Sequence, residues 1–533
     1  MAMIEIDYND VCKLIGKKIE KEKLVDRLAM MGAGVEEVDG DKIFIEILPN
    51  RPDWLSVEGL ARSLKGFLGV EPGLLDYKTV DGKIEVRVEK SVEKIRPYIV
   101  CAAIRGVKID DALIKSMMQI QEKLHETFGR KRKKLAIGIH DLSKVVPPFT
   151  YKAVKSNEIS FVPLGMSKKM DLREILEQHP KGIDYAWILE GADAYPIIVD
   201  KNGDVLSFPP IINGELTKVR EETTDLFIDM TGSSEKTLEE ALNILVCMFA
   251  DRGAKIERVK VSGKVLPDLS IREKEVDFEN VEKLVGISVD ATEGKKLLEK
   301  MGYGVAGKKV RIPCYRTDIL HEDDIIEDIA IAYGYENLKP KKTMFPTIGS
   351  KHPEEVKADK MRDALIGFGL QETMNLMLTN EERHYAKLSL KDGRRVQIAN
   401  PKTKETTMLR TSLLPSLLEV LSGNKHEKYP QNLFEVGDVV IIDEKEETKA
   451  RTAKLVCIVF ADADSNYTAA KSVLEAIFRE YNRKLEVKPK DQAFMIKGRA
   501  GEFSHGYIGE INPSVLARFE IEVPVTCLEF ELI

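Results

Sequence analysis

Apolar and polar residues alternate from Ile43 to Ile47, the period of two that predicts a half-buried strand. A turn through Pro49-Asn-Arg-Pro-Asp53 follows, after which Trp54, Val57, Leu60, Ala61, Leu64, Phe67 and Leu68 recur at helical spacing. Asp53 is the expected cap of that helix, since a short carboxylate before the first turn accepts from its unpaired amides. From about 85 to 262 strand patterns dominate, among them Tyr98–Ala103, Leu135–Ile139 and a hairpin across Asp200-Lys-Asn-Gly-Asp204, whose Asn-Gly pair is a turn signal. Two amphipathic helices interrupt them: one has apolar residues at 113, 114, 117, 118, 120, 124 and 128, the other spans 237–252 and should stop at Gly253.

The pattern resets between Ser262 and Pro267. A helix from Asp277, another entered through Asp290-x-x-Glu293, a short strand at Val310-Arg-Ile-Pro and a helix over 324–333 then predict a small helical, winged-helix-like unit. A linker over 343–355, with Pro346, Gly349 and Pro353, leads to helices at 357–368, 411–422 and 466–481. Strand patterns at 374–378, 396–399, 433–442, 455–460, 503–511 and 525–531 accompany them and predict a helix-bordered antiparallel sheet. The expected fold is α+β and multidomain: an N-terminal α/β domain at 1–84, a strand-rich domain at 85–262, the helical unit at 268–345 and a sheet domain at 356–533.

Length and composition agree, because 533 residues exceed what one hydrophobic core serves, and 43% hydrophobic with 32% charged residues is globular composition. Six cysteines without a CxxC pair, mostly in apolar runs, read as reduced core residues and argue against zinc. No apolar stretch approaches the ~18 residues of a membrane span and the amino terminus lacks a signal pattern, so the expected location is the cytoplasm. A net charge of −7 argues against a protein devoted to duplex DNA. Within 268–342, 13 Lys and Arg stand against 16 Asp and Glu, so DNA binding by the helical unit is disfavoured as well. Arg130-Lys-Arg-Lys-Lys134 is the one concentrated basic run, either a local patch for tRNA or a solvated hairpin end.

Three stretches could carry chemistry. Gly302-Tyr-Gly-Val-Ala-Gly307 fits GxGxxG but follows a helix and enters a strand, the reverse of a dinucleotide site; it reads as a turn whose glycines supply positive φ. Asp324, Glu327 and Asp328 fall on one helical face, with Asp318 able to fold back. Four carboxylates with no soft ligand suit Mg²⁺, although acids near a helix N-terminus are also ordinary. Ser207-Phe-Pro-Pro-Ile-Ile-Asn213, Thr217 and the run containing Asp229 and Thr231 place hydroxyl, amide and carboxylate groups at strand ends, where they either orient a water and a substrate hydroxyl or serve as turn and cap residues.

Four stretches, in order, together resemble phenylalanine-tRNA ligase beta subunits: Pro49-Asn-Arg-Pro-Asp-Trp-Leu-Ser-Val-Glu-Gly-Leu-Ala-Arg62, Phe208-Pro-Pro-Ile-Ile-Asn213, Tyr315-Arg-Thr-Asp-Ile-Leu-His321 with Glu327-Asp-Ile-Ala-x-x-Tyr-Gly-Tyr335, and Leu409-Arg-Thr-Ser-Leu-Leu-Pro-Ser-Leu-Leu418 with Leu433-Phe-Glu-Val-Gly437. The resemblance implies a tRNA-editing domain at 85–262, a small domain with Mg²⁺ on Asp318, Asp324, Glu327 and Asp328, and a class II synthetase-like domain at 356–533. The GxGx[DE]R pattern that holds ATP in an active class II site is missing after 356, so ATP and phenylalanine activation belong to an alpha subunit, in an assembly of two alpha and two beta chains acting on tRNA(Phe). The chain stops at Ile533 without the further domain of bacterial members, which points to the archaeal and eukaryotic type. Proofreading is needed because an apolar phenylalanine pocket rejects an added hydroxyl by only ~10²-fold. Ser207, Asn213, Thr217, Asp229 and Thr231 are the residues expected to line the site that hydrolyses Tyr-tRNA. The rival readings are a free-standing aminoacyl-tRNA deacylase and a non-enzymatic nucleic-acid-binding scaffold.

Overall fold

The alternation at 43–47 forms the middle strand of a three-stranded antiparallel sheet, with Lys42–Ile47 between Ala2–Asp7 and Gly34–Asp39. The helix that follows begins at Val57, later than its apolar pattern predicted, because Pro52–Trp54 forms a separate 3-10 turn. Ser56 caps it by accepting from the amide of Gly59. Asp53 is unavailable as a cap: both of its oxygens accept from Arg51, at 2.9 and 2.8 Å, in a buried pair. The computed structural model describes residues 2–504 and 506–533, which divide into the units Met1–Lys341 and Lys342–Ile533.

A ten-stranded sheet dominates the first unit and takes in strands from Thr79–Val88 to Lys264–Leu266. At its heart Asp225–Gly232 pairs antiparallel with Tyr98–Arg105 on one side and Leu135–Asp141 on the other. The expected hairpin at Asp200 is present, and the Asp200 carboxylate accepts from the amides of Asn202 and Asp204. The two expected helices are Asp111–Glu126 and Glu235–Asp251, and Gly253, at φ 86°, follows the second. The reset at 262–267 is not a break: Ser262 and Gly263 make a left-handed turn, and Lys264–Leu266 pairs back on Lys255–Val261 within the same sheet.

Beyond it, helices Phe278–Val285 and Ala291–Lys300 start where Asp277 and Asp290 cap them. The third helix, Glu322–Tyr333, begins two residues earlier than expected, with His321 as its cap. A small sheet of Arg272–Glu275, Lys309–Ile312 and Gly304–Ala306 accompanies these helices; only its middle strand was legible as a pattern. Gly302 and Gly307 have φ of 84° and 64°, the turn conformation inferred for them.

In the second unit the first helix is Pro353–Gly367, reaching into the segment read as linker. Proline in a helix's first turn loses no hydrogen bond, so Pro353 starts this helix instead of ending a loop. The seven-stranded sheet is antiparallel apart from one edge pair. The patterns at 374–378 and 396–399 do not become strands; only Leu378–Thr379 pairs with Met408–Leu409, and Gln397 makes a single bridge. The expected strand 503–511 is a hairpin of Met495–Phe503 and Gly506–Ile511. The unbroken apolar run in Ala450–Ala461 follows from burial on both faces. Val456 and Ile458 pack with Leu365 and Leu474, while Cys457 and Val459 pack with Leu417 and Val515.

The architecture is mixed α/β and multidomain, and no described helix is long and apolar enough to cross a membrane. All six cysteines are free, as expected, with Cys101, Cys247, Cys457 and Cys527 buried. Cys247 and Cys314, distant in sequence, bring their sulfurs to 3.7 Å.

Candidate active site

Two central strands, the helix Asp111–Glu126 and one hairpin of the first unit build the site. Asp229 and Thr231 are two apart on Asp225–Gly232, so both side chains leave the same face of the sheet. Asp229 stands opposite Gly138, and a Cβ there would lie 2.3 Å from Asp229 Oδ2 and 2.7 Å from His140 Nε2. Glycine therefore opens the space through which carboxylate and imidazole meet. His140 Nε2 is 2.7 Å from Asp229 Oδ2 and Nδ1 is 2.8 Å from Thr217 Oγ1, and all three residues are buried. With Nε2–H donating to the carboxylate, Nδ1 accepts from the Thr217 hydroxyl, whose other acceptor is the Gly214 carbonyl at 3.3 Å.

A cavity of about 430 Å³ opens against this layer, lined among others by Ser207, Asn213, Asp229 and Thr231. Four of the five residues expected at an editing site thus share one cavity. Thr217 is not in the lining; it stands behind Asp229, at His140. Ser207 and Asn213 are paired across a two-strand ladder, and Ser207 Oγ, although buried, has no hydrogen-bond partner. Asn213 Nδ2 reaches the carbonyl of Ile139 at 3.4 Å. Apolar walls come from Met118, Ile137, Phe208 and Ile211.

Buried polar groups hold the remaining wall. Arg96 Nε donates to Thr231 Oγ1 at 2.8 Å, and its terminal nitrogens donate to the carbonyls of Thr231, Arg132 and Lys133. Burial lowers this guanidinium to a pKa of about 10, so it remains charged at neutral pH. His125 Nε2 accepts from the amide of Ile137, which leaves its proton on Nδ1, 3.5 Å from Glu122 and at the outer limit of a hydrogen bond. Burial brings His125 down to about 4 against the opposing pull of Glu122. Glu122 is lowered to about 2 by the His125 contact, with Arg132 and Lys181 assisting against its own burial.

His140, Arg96, Glu122 and His125 were not singled out from the sequence. For His140 a signal existed: a glycine and a histidine two apart inside the strand Leu135–Asp141 mark a close approach on one face.

A second polar cleft of about 160 Å³ lies elsewhere in the first unit, and Asp318, Asp324, Glu327 and Asp328 all line it. The buried Arg316 donates to Asp318 and, at 2.7 Å, to Asp328. Burial works to raise Asp318, but Arg316 outweighs it and holds the carboxyl below its usual range. Asp324 turns back to accept from the amides of Leu320 and His321. Glu327 is raised by burial and then by the charges of Asp328, Asp324 and Asp318. The donor set is all oxygen and carries excess negative charge, which suits a hard cation. Yet no three His, Cys, Asp or Glu side chains among the described residues are disposed as a ready-made metal cage. A cation here would take Asp324 and Glu327 first, with water or another chain completing its shell.

Over its whole length the chain is similar to known proteins. The phenylalanine–tRNA ligase beta subunit of Archaeoglobus fulgidus is 44% identical over an alignment of 548 residues, covering 100% of this chain and 98% of the relative. The chain belongs to the phenylalanine–tRNA ligase beta-subunit family. Its relative from Methanocaldococcus jannaschii is 42% identical, with 100% of each covered. Residues 107–246 match the B3/4 domain, 274–335 the tRNA synthetase B5 domain and 340–532 the phenylalanyl tRNA synthetase beta chain CLM domain. A crystal structure of an N-terminal fragment of the Pyrococcus horikoshii beta subunit superposes with a TM-score of 0.60 at 38% identity, covering 62% of this chain and 99% of the fragment. As a beta subunit the chain forms the ligase together with an alpha subunit. The residues that line the 430 Å³ cavity, Ser207, Asn213, Asp229 and Thr231 among them, all fall within the B3/4 match at 107–246.

Proposed function

We propose that the cavity over Asp229 hydrolyses tyrosine wrongly esterified to tRNA(Phe), while the second unit serves as the scaffold on which an alpha subunit makes the ester. One observation carries the reading: the buried, unpartnered hydroxyl of Ser207 in a cavity of side-chain dimensions. An unpaired buried hydroxyl costs roughly 1–3 kcal/mol, and a ligand hydroxyl removes that cost where a phenyl ring cannot. Ser207 and Asn213 read the phenol, and Thr231 shapes the wall. Asp229, held by His140 with Thr217 behind it, accepts a proton from the water that attacks the ester carbonyl and returns it to the terminal ribose oxygen as the bond to that oxygen breaks; that ribose's neighbouring hydroxyl assists. Replacing Asn213 and Thr217 with alanine and following Tyr-tRNA deacylation tests this; hydrolysis at the unaltered rate rejects it.

The scaffold role draws support from two features of the second unit. Its buried Arg410 spends two of its three nitrogens on the sheet, pairing with Glu435 at 2.7 Å and donating to the carbonyl of Asp438. Met344, Phe345, Ile348, Met374 and Leu376 are each at least 77% exposed, which marks a surface for a partner chain. ATP is bound by the alpha subunit, in a complex of two alpha and two beta chains in the cytoplasm. The fold assignments that go with this are an N-terminal α/β domain at 1–84, an editing domain at 85–262, a winged-helix-like domain at 268–345 holding Mg²⁺ through Asp318, Asp324, Glu327 and Asp328, and a class II synthetase-like domain at 356–533. The magnesium would supply a structural charge at that cleft. Calorimetric Mg²⁺ titration of the complex, with and without Glu327→Gln, tests the metal assignment.

A further inference from the structure

The basic run 130–134 borders the cavity, and Arg132 at its centre lines the wall. Arg130, Lys131 and Arg132 take φ of 48°, 53° and 65°, three successive non-glycine residues in the left-handed region that L side chains rarely adopt. Two clamps hold them there. From beneath, Arg96 donates to the carbonyls of Arg132 and Lys133 while also binding Thr231 of the cavity. From the side, Arg132 donates to the carbonyls of Pro210 and Ile211 and stacks 4.2 Å over the Tyr185 ring. The amides of residues 130–134 are all spent on carbonyls of 125–130. What the loop can donate to an anion is therefore side chain only: Arg130, Lys131 and Lys133 are exposed, and no ion pair or side-chain hydrogen bond engages them among the described residues. A solvated hairpin end would need neither the strained backbone nor two buried arginines to hold it.

We propose that this loop is the phosphate-binding rim of the cavity, where Arg130, Lys131 and Lys133 take the phosphodiester backbone of the RNA whose aminoacylated end enters between Ser207 and Asp229. The inference rests on the editing reading and adds to it the strand contact that delivers the ester. Rigid placement matters, because a pre-set row of cations next to the cavity positions the terminal nucleotide without ordering a loop on binding. Three phosphate contacts to a single strand contribute a salt slope of about 0.7 each, hence roughly a hundredfold in apparent affinity between 1 M and 0.1 M salt.

The test uses the complete alpha–beta complex with Arg130, Lys131 and Lys133 all changed to alanine, and two substrates: Tyr-tRNA(Phe) and the minimal ester tyrosyl-adenosine, which lacks the phosphate chain. The expected result is a KM for Tyr-tRNA raised on the order of a hundredfold at 0.1 M salt, with a flatter salt dependence, and unchanged hydrolysis of tyrosyl-adenosine. An unaltered KM and salt slope for Tyr-tRNA would overturn the rim while leaving the editing site standing. Loss of tyrosyl-adenosine hydrolysis in the variant would overturn it too, by showing that the loop shapes the cavity itself. If the wild-type complex hydrolyses neither substrate, the editing reading falls and this inference with it.

Discussion

Gly138→Ala places one methyl group where the site has no room. The new Cβ would meet Asp229 Oδ2 at 2.3 Å and His140 Nε2 at 2.7 Å, against an ordinary contact beyond about 3.4 Å, so the carboxylate must retreat by roughly 1 Å. Retreat breaks the 2.7 Å bond between Asp229 and His140. Loss of a buried hydrogen bond to a charged group costs about 1.5–3 kcal/mol, and overpacking adds about 1–3 kcal/mol. A destabilisation of ~2.5–6 kcal/mol would lower the unfolding temperature of a unit this large by on the order of 10 °C. Catalysis should suffer independently, because a displacement of about 1 Å at a reacting group costs on the order of a hundredfold. The assay is Tyr-tRNA deacylation by the alpha–beta complex, run beside phenylalanine attachment as a control for assembly. Attachment intact with deacylation cut about a hundredfold is the expected outcome. Full deacylation in a folded Gly138→Ala complex would refute the view that Asp229 acts from the place His140 gives it.

Three further outcomes follow from the same geometry. Ser207→Ala removes a buried hydroxyl that has no partner, so the unfolding midpoint should hold or rise by about 1 kcal/mol equivalent while kcat/KM for Tyr-tRNA falls 10- to 100-fold, roughly the worth of one hydroxyl contact; calorimetry and deacylation kinetics check the two halves. Arg316→Met strands Asp318 and Asp328 without their cation, and denaturant titration should show a loss of about 3–5 kcal/mol. Acidification should destabilise the first unit: folded His125 releases its proton near pH 4 and the unfolded residue near 6.5, so between those values the unfolded chain binds more protons. That stability is complete above 6.5 and lost as pH falls through 4, up to ~3 kcal/mol, and His125→Gln should flatten the slope of the first unit's unfolding by one proton.

Periodicity and unbroken apolar runs made the long elements legible, because the helices bury one face and the central strands bury both. The helices Asp111–Glu126 and Glu235–Asp251 and the strand Val525–Glu531 fall where their apolar spacing placed them. Local polar pairing was less legible: Asp53 looks like a cap in sequence, but Arg51, two residues away, claims it. Short patterns such as 374–378 carry too few positions to tell a strand from an extended loop. In the cavity, hydroxyl and carboxylate residues could be named from their segments, but the order of the layers could not. Thr217 was expected at the surface of the site and instead backs it, because His140, brought in by pairing of Leu135–Asp141 with Asp225–Gly232, lies between Thr217 and Asp229. The acidic cluster shows the same limit. Spacing put Asp324, Glu327 and Asp328 on one face, but Arg316 reaches into that cluster from a loop, which helical periodicity does not describe.

The proposed division of labour places correction in this chain and synthesis in its partner. The most direct measurement supplies the alpha–beta complex with ATP, tyrosine and tRNA(Phe) and follows Tyr-tRNA over time, for the wild type and for Asp229→Asn. Accumulation of Tyr-tRNA only in the variant, with phenylalanine attachment equal in both, is the predicted result. Equal, negligible Tyr-tRNA in the two complexes would contradict it.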